Sequence, residues 1–229
     1  MNNLKVKEIV ARSYINPSKL PGSDYVINPY VGCPHRCIYC YAEFMKRFSN
    51  HDEPWGTFTD VKIRSTSSRP LDLQGKNVFL SSVTDCYNPL EEKYGLTRKL
   101  LLQLRHSGAS ITILTKSALV LRDLDVFKQM PDISVGFSMN TTDEELRRET
   151  EPCAAGVLDR LYALKTLHEN GIRTWVHVSP IFPYLSDWKT LLEAAAGFTD
   201  SFSFENLKLR SSALPRVLLY ITRRHPQLR

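Results

Sequence analysis

Residues 32–41 read Gly32-Cys33-Pro34-His35-Arg36-Cys37-Ile38-Tyr39-Cys40-Tyr41. Three cysteines spaced C-x3-C-x2-C fall within eight residues, in a stretch whose Gly and Pro read as a tight loop. Thiolates so placed can each reach a different iron of a cubane [4Fe–4S] cluster, which leaves the fourth iron without a protein ligand and open to chemistry. A structural zinc site or an electron-transfer ferredoxin needs four ligands. The other two cysteines, Cys86 and Cys153, stand alone and form no second close pair. His35 is the nearby side chain able to close the site, which keeps a non-enzymatic metal-binding or electron-transfer module as an alternative. Lying between two ligating cysteines, it is expected instead to point outward or to hydrogen-bond locally.

Outward from this loop, β-rich apolar runs alternate with helix-period segments, the rhythm of repeated βα units around a parallel sheet. Six such units can be counted. The first strand is expected near Tyr25–Tyr30 and feeds the cysteine loop, with Tyr41–Phe48 helical beyond it. An irregular insert carrying Trp55 and Gly56 follows, then a short strand at Asp60–Arg64 and a loop around Pro70. Strand two is Asn77–Val83, and its helix runs from Glu91–Tyr94 through Leu100, Leu101 and Leu104 to Gly108. Strand three, Ser110–Leu114, leads to a helix that Ser117 can cap and that carries Leu121, Leu124 and Phe127. Strand four, Ile133–Phe137, precedes an acidic first turn at Asp143–Glu145, which suits a helix N-terminus. The long helix Ala154–Asn170 puts Val157, Leu158, Leu161, Leu164 and Leu167 on one face and stops at Gly171. Strand five is Arg173–Val178. Ser186 or Asp187 then caps a helix through Leu191, Leu192 and Ala195 to Gly197, ahead of strand six at Ser201–Glu205 and a last helix in Ala213–Arg223.

Six βα units curl into an open, partial barrel more naturally than into a flat sheet, a doubly wound sheet being the other arrangement. The expected fold class is therefore α/β, a partial (β/α)6 TIM-like barrel. Residues 1–229 are expected to form one core domain, with 1–24 an N-terminal extension and 211–229 a C-terminal helix. In either arrangement the loops after the strands build the site, and the unusual polar residues fall there: the cysteines after strand one, Ser82, Thr84 and Asp85 after strand two, Lys116 after strand three, Ser138 and Asn140 after strand four, and Glu205 with Asn206 after strand six. Such clustering on one rim has no obvious packing rationale.

Length and composition agree with that size of domain. The chain has 229 residues, 42% hydrophobic and 24% charged, which is ordinary for a soluble globular protein and gives no indication of disorder. No apolar run approaches the ~18 residues of a membrane span, and the N-terminus lacks a signal-peptide stretch, so a cytoplasmic protein without membrane contact is expected. Five cysteines, an odd number, suit a reduced compartment better than a disulfide framework. The net charge of +6, with Arg210, Arg216, Arg223, Arg224 and Arg229 near the C-terminus, permits a nucleic-acid partner and equally fits a solvated basic surface.

The C-x3-C-x2-C loop with an aromatic residue before its last cysteine resembles the radical SAM superfamily, and the longer string Asn28-Pro29-Tyr30-Val31-Gly32 into the loop resembles its spore photoproduct lyase-like branch. Ser81-Ser82-Val83-Thr84-Asp85, Leu114-Thr115-Lys116-Ser117, Gly136-Phe137-Ser138-Met139-Asn140, Glu151-Pro152 with Arg160, and Pro180-Ile181-Phe182-Pro183 extend the resemblance, which runs from Tyr25 to Leu209. It implies the radical SAM form of the partial barrel. It also implies that Cys33, Cys37 and Cys40 bind the cluster, whose unique iron chelates the amino and carboxylate groups of S-adenosylmethionine. One electron from a donor such as a flavodoxin or ferredoxin then splits the sulfonium, giving methionine and a 5′-deoxyadenosyl radical that acts on an unknown substrate.

Carried over position by position, the resemblance puts Ser82 or Thr84, with Asp85, against the methionine or ribose part. Lys116 pairs with the carboxylate, Ser138 hydrogen-bonds near it, Asn140 belongs to the same cofactor-binding rim, and Tyr39 lies against the adenine. Plainer roles stand beside these: Lys116 as a solvated helix-entry residue, Ser138 as a strand-end hydroxyl, Tyr39 as core. In the lyase proper a cysteine after the second strand donates a hydrogen atom. Here the stretch reads Ser-Ser-Val-Thr-Asp before Cys86, which is thus a candidate donor or a buried inert thiol. Little chain remains after the sixth unit for a substrate-binding portion, so a DNA photoproduct lyase-like repair activity is an alternative rather than the reading. A monomer is expected.

Overall fold

The computed structural model describes residues 4–63, 72–208 and 212–228; the expectations placed on Arg64, Pro70, Leu209, Arg210 and Arg229 lie outside them. The first strands along the chain are β1 (Lys5–Val10), β2 (Ile15–Pro17), β3 (Tyr25–Ile27) and β4 (Tyr30–Val31), followed by a 3-10 helix, Tyr41–Phe48, and by β5 (Phe58–Ile63). Beyond these come β6 (Asn77–Leu80), α1 (Glu91–Tyr94), α2 (Leu96–Leu104), β7 (Ser110–Thr115), a 3-10 helix at Ala118–Asp123, and α3 (Leu124–Phe127). The remaining elements are β8 (Ile133–Met139), α4 (Glu144–Thr150), α5 (Val157–Glu169), β9 (Arg173–Ile181), α6 (Trp188–Ala195), β10 (Ser201–Asn206) and α7 (Leu214–Arg224).

The main sheet runs β10-β9-β8-β7-β6-β3-β2, so β3, β6, β7, β8, β9 and β10 stand side by side in chain order. Each neighbouring pair among these six is parallel, and β2 is added antiparallel at the β3 edge. This is a mixed α/β fold built as an open partial barrel. Strand periodicity gives the sheet its two faces. Val78, Leu80, Ile111, Ile113, Val135, Phe137, Val176 and Val178 pack with Leu100, Leu104, Leu164, Leu167 and Leu191 of the helices into the main core. The alternating positions, Thr112, Ser134, Ser138, His177, Ser179 and Ser203, are polar. In register, Ser138 stands opposite His177 and His177 opposite Ser203, so these polar side chains share the face away from the helices. Gly136 lies on that face because a Cβ there would overlap the indole of Trp175.

Local chemistry explains the helix starts. Ser117 accepts from the Leu119 N–H, and Asp143 caps α4 by accepting from the N–H groups of Glu145 and Leu146 at 2.7 and 3.2 Å. Two expectations need correcting. The helix expected from Ala154 begins at Val157, after a turn that lets the Val157 N–H reach Glu144 at 3.0 Å. Neither Ser186 nor Asp187 caps α6 with its side chain: the Ser186 hydroxyl accepts from the Phe182 N–H, and the Asp187 carboxylate accepts from Thr141 and Thr142. The segment expected to be helical after strand one is a 3-10 helix over Tyr41–Phe48. The N-terminal extension is structured: β1 pairs in parallel with β5, which pairs antiparallel with β4, and the three form a second sheet beside the cysteine loop.

Candidate active site

The cysteine loop leaves β4 through Gly32, whose φ of +88° and whose approach to the Phe58 carbonyl leave no room for a Cβ. The loop is then tied down by its own backbone and by remote chain. Cys40 N–H donates to the Cys37 carbonyl at 3.2 Å, Ile38 N–H to Thr150 at 2.9 Å, and Cys153 N–H to His35 at 3.2 Å. Arg216 of α7 donates to the Ile38 carbonyl at 3.2 Å and pairs with Glu43 at 2.9 Å. Trp55, from the insert before β5, donates its indole N–H to Cys40 Sγ at 3.3 Å and packs edge-on against Phe58. Cys33, Cys37 and Cys40 are free thiols. Burial pushes the Cys37 thiol up to about 12 and raises Cys33 and Cys40 as well. Thiolates here therefore need a cationic partner to exist at neutral pH.

His35 does not reach for a metal. Its Nδ1 lies 3.0 Å from the Cys153 carbonyl and its Nε2 3.1 Å from Asp85 Oδ2, with the ring 3% exposed. Asp85 is saturated in turn: Oδ1 accepts from the Tyr87 N–H and the Thr115 hydroxyl, both at 2.8 Å, and Oδ2 from the Lys116 N–H at 2.8 Å as well as from His35. Burial opposes its ionisation, but His35 and these donors hold Asp85 below the usual carboxylate range.

A second buried network lies behind Lys116. Its Nζ donates to Ser138 Oγ at 2.7 Å, stands 3.9 Å from Glu151, and sits 5.8 Å above the Tyr39 ring. Tyr39 donates its hydroxyl to Glu151 and meets Phe182 edge-on at 5.8 Å. Glu151 pairs with Arg160, and both are essentially without solvent contact. Although burial opposes it, Arg160 and then Lys116 keep the Glu151 carboxyl lowered. Arg160 also donates to the carbonyls of Ser138 and Ala155, each at 2.9 Å. Ser82 accepts from Asn28 at 2.9 Å, whereas Thr84 spends its hydroxyl on the Gly32 carbonyl at 2.8 Å.

Residues 27–195 match the family model described as the Radical SAM superfamily. The chain belongs to that superfamily. An uncharacterised protein of Methanocaldococcus jannaschii is 40% identical over 212 residues, 92% of this chain and 81% of that protein. Among solved structures, a spore photoproduct lyase mutant with bound AdoMet and dinucleoside spore photoproduct superposes with a TM-score of 0.69 at 17% identity, covering 97% of this chain. The chain spans 66% of that lyase chain. Streptococcus suis SuiB bound to S-adenosylmethionine superposes with a TM-score of 0.51 at 15% identity over 87% of this chain and 44% of its own. The protein is thus a radical SAM enzyme with the partial-barrel fold, and membership implies an iron–sulfur cluster and S-adenosylmethionine. The closed, non-enzymatic metal module is set aside, and His35, with both ring nitrogens spent on protein acceptors, is not the fourth ligand it required.

The residues present fit the radical SAM cofactors. No three His, Cys, Asp or Glu side chains among the described residues converge on a point suited to one metal ion. The three half-buried thiols on one loop instead suit the separate corners of a larger cluster. Asn140 is 1% exposed, and among the described residues neither its amide nitrogen nor its oxygen has a protein partner, an arrangement that costs free energy unless a bound polar group supplies one. Cys86, read from the sequence as a candidate donor or a buried thiol, has no exposed surface, belongs to the main core, and has its thiol raised by burial.

One group was not singled out from the sequence. His177 lies on the polar face of the sheet, bonded to Ser203 at 2.8 Å and 3.7 Å from Glu205, which also accepts from Ser179 at 3.2 Å and from Lys208. Lys116 reaches Ser138, the residue opposite His177 in register, and burial first, then Lys116, lower the His177 imidazole. The signal was available in the period-two alternation of Trp175, His177 and Ser179 with Thr174, Val176 and Val178.

Proposed function

We propose that Cys33, Cys37 and Cys40 hold a [4Fe–4S] cluster whose fourth iron binds S-adenosylmethionine, and that the enzyme acts on a substrate held over the polar face of the barrel. The observation that carries this reading is the loop itself, with three half-buried free thiols whose polar neighbours are already engaged by protein. When bound, the cluster and S-adenosylmethionine supply a 5′-deoxyadenosyl radical after one-electron reduction.

The chain's own residues bind and orient. Lys116, held by Ser138 and balanced by Glu151, offers an ammonium for a carboxylate. The unpartnered amide of Asn140 offers a donor and an acceptor beside it. Between Ser82 and Thr84 the better nucleotide contact is Ser82, which keeps a hydroxyl proton to donate. Tyr39 and Phe182 form an aromatic wall suited to the adenine, and they exclude water from the reacting centre. Asp85 positions rather than touches, because each of its oxygens is already shared by two protein donors.

The reading extends to one domain over residues 1–229, acting as a monomer in the cytoplasm. Free thiols at all five cysteines fit a reducing compartment. Nucleic acid is not needed to account for the basic C-terminal stretch, since Arg216 is paired with Glu43 and Arg224 with Glu145 and Glu149. Anaerobic reconstitution tests the proposal. A four-iron cluster and slow formation of 5′-deoxyadenosine with dithionite are expected; a colourless zinc protein, or a cluster that yields no 5′-deoxyadenosine, would overturn it.

A further inference from the structure

The 3-10 helix Tyr41–Phe48 starts at the residue after Cys40 and is not absorbed by the roles above. Ala42 and Met45 turn inward onto Trp55 and Phe58, joined there by Cys40 itself. The outward side chains are unusual. Phe44 is 42% and Phe48 67% exposed, and the guanidinium of Arg47 lies over both rings, 5.6 and 4.6 Å from their centres. Large aromatic rings left in water side by side, with an arginine among them, have the composition of a protein–protein contact rather than of a solvated face. The charge of the element is positive on balance, because Glu43 is paired with Arg216, while among the described residues Arg47 has no carboxylate partner and Lys46 reaches only the Asp52 carbonyl.

Resting on the proposed function, we propose that Phe44, Arg47 and Phe48 form the docking surface for a small acidic one-electron carrier protein of the flavodoxin or ferredoxin type. At a rise of about 2.0 Å per residue, the patch lies roughly 8–16 Å along the helix from Cys40. A carrier seated there is therefore next to a cluster ligand without entering the substrate face. The aromatic pair supplies contact area, and the basic rim steers an acidic partner. The electron count is simple: an anionic reduced flavin in the carrier loses one electron and the cluster gains it, so no bond forms or breaks and no proton moves at the patch.

The test uses cluster-loaded protein and a bacterial flavodoxin as probe, with two readouts. The first is the Kd for oxidised flavodoxin by fluorescence anisotropy, which involves no turnover. Arg47→Glu and Phe48→Ser are each expected to raise it about fivefold or more, and the Arg47→Glu effect to shrink at high salt. The second is the rate of 5′-deoxyadenosine formation driven by reduced flavodoxin, expected to fall in both variants, while the dithionite-driven rate stays within about twofold of the unaltered enzyme. An unchanged Kd in both variants, no flavodoxin binding by the unaltered enzyme, equal losses under both reductants, or a dimer of this chain that Phe48→Ser splits would each overturn the surface assignment. Absence of 5′-deoxyadenosine from the unaltered enzyme with dithionite strikes the proposed function instead, whatever the Kd values.

Discussion

Nε2 of His35 lies 3.1 Å from Oδ2 of Asp85, and this contact locks the cysteine loop onto the loop that follows β6. The same ring meets the Cys153 carbonyl at 3.0 Å, so one imidazole joins segments 50 and 118 residues apart in sequence. Both side chains are buried and engaged by protein partners, so the pair fixes the two loops against each other.

Asp85→Asn should therefore damage the site without touching a cofactor. Whichever way the new amide turns, its NH2 replaces an oxygen that accepts two donors, leaving one or two buried donors unpaired at a cost of roughly 2–4 kcal/mol. Urea unfolding together with iron content after reconstitution checks this, and full cluster loading at unchanged stability would contradict it. Because the folded carboxyl is depressed, the contribution of Asp85 is complete above the ordinary carboxylate range and is lost as pH falls through its folded value.

Arg160→Met removes the partner of a carboxylate that has no exposed surface. Breaking a buried pair on one side costs about 3–5 kcal/mol. In the variant the burial of Glu151 is opposed only by the more distant Lys116 and the Tyr39 hydroxyl, so protonation relieves the strain, and the penalty should shrink as pH falls toward about 4. Denaturant midpoints at several pH values measure it; a pH-independent penalty would count against the pairing argument.

Gly32→Ala places a side chain at φ +88° and against the Phe58 carbonyl. The conformational term alone is about 1–2 kcal/mol, and the clash adds to it. Loss of cluster loading at retained secondary structure is the expected result, read from absorbance and circular dichroism.

Trp55→Phe keeps the ring against Phe58 but deletes the N–H bond to Cys40 Sγ. Hydrogen bonds to cluster sulfur stabilise the reduced state, so the reduction potential should become more negative. A potentiometric titration followed by electron paramagnetic resonance measures the shift, and a potential that stays put or rises contradicts the contact.

The His177 imidazole should titrate below its ordinary value, since burial and Lys116 both disfavour its charged form. Lys116→Gln should move the midpoint upward, toward but not onto that value, because burial remains. For a histidine lowered on folding, stability rises with pH through the interval between the folded and unfolded midpoints and is lost below it. Proton–nitrogen NMR of the imidazole reads the midpoint directly.

The six parallel strands and their order were legible in the sequence because each βα unit advertises itself locally, by period-two runs, capping residues such as Ser117 and Asp143, and a stop at Gly171. β1 was not legible. Its residues are almost all exposed, so no buried face stamps a pattern on the chain, and its partner β5 lies about fifty residues away. Cys86 and Asp85 were read by residue type, which cannot tell a side chain that faces a ligand from one that faces the core.

By itself, then, the sequence determined the class: three cysteines close enough to serve one cluster, on the first of six βα units. Tertiary structure alone decided the roles around it. It turned Asp85 inward, buried Cys86, set His177 opposite the Ser138 that Lys116 holds, and left Phe44 and Phe48 in water a few residues beyond Cys40. The division is physical. Periodicity and ligand spacing act over a few residues, whereas the direction of a loop side chain is set by partners that only folding brings near.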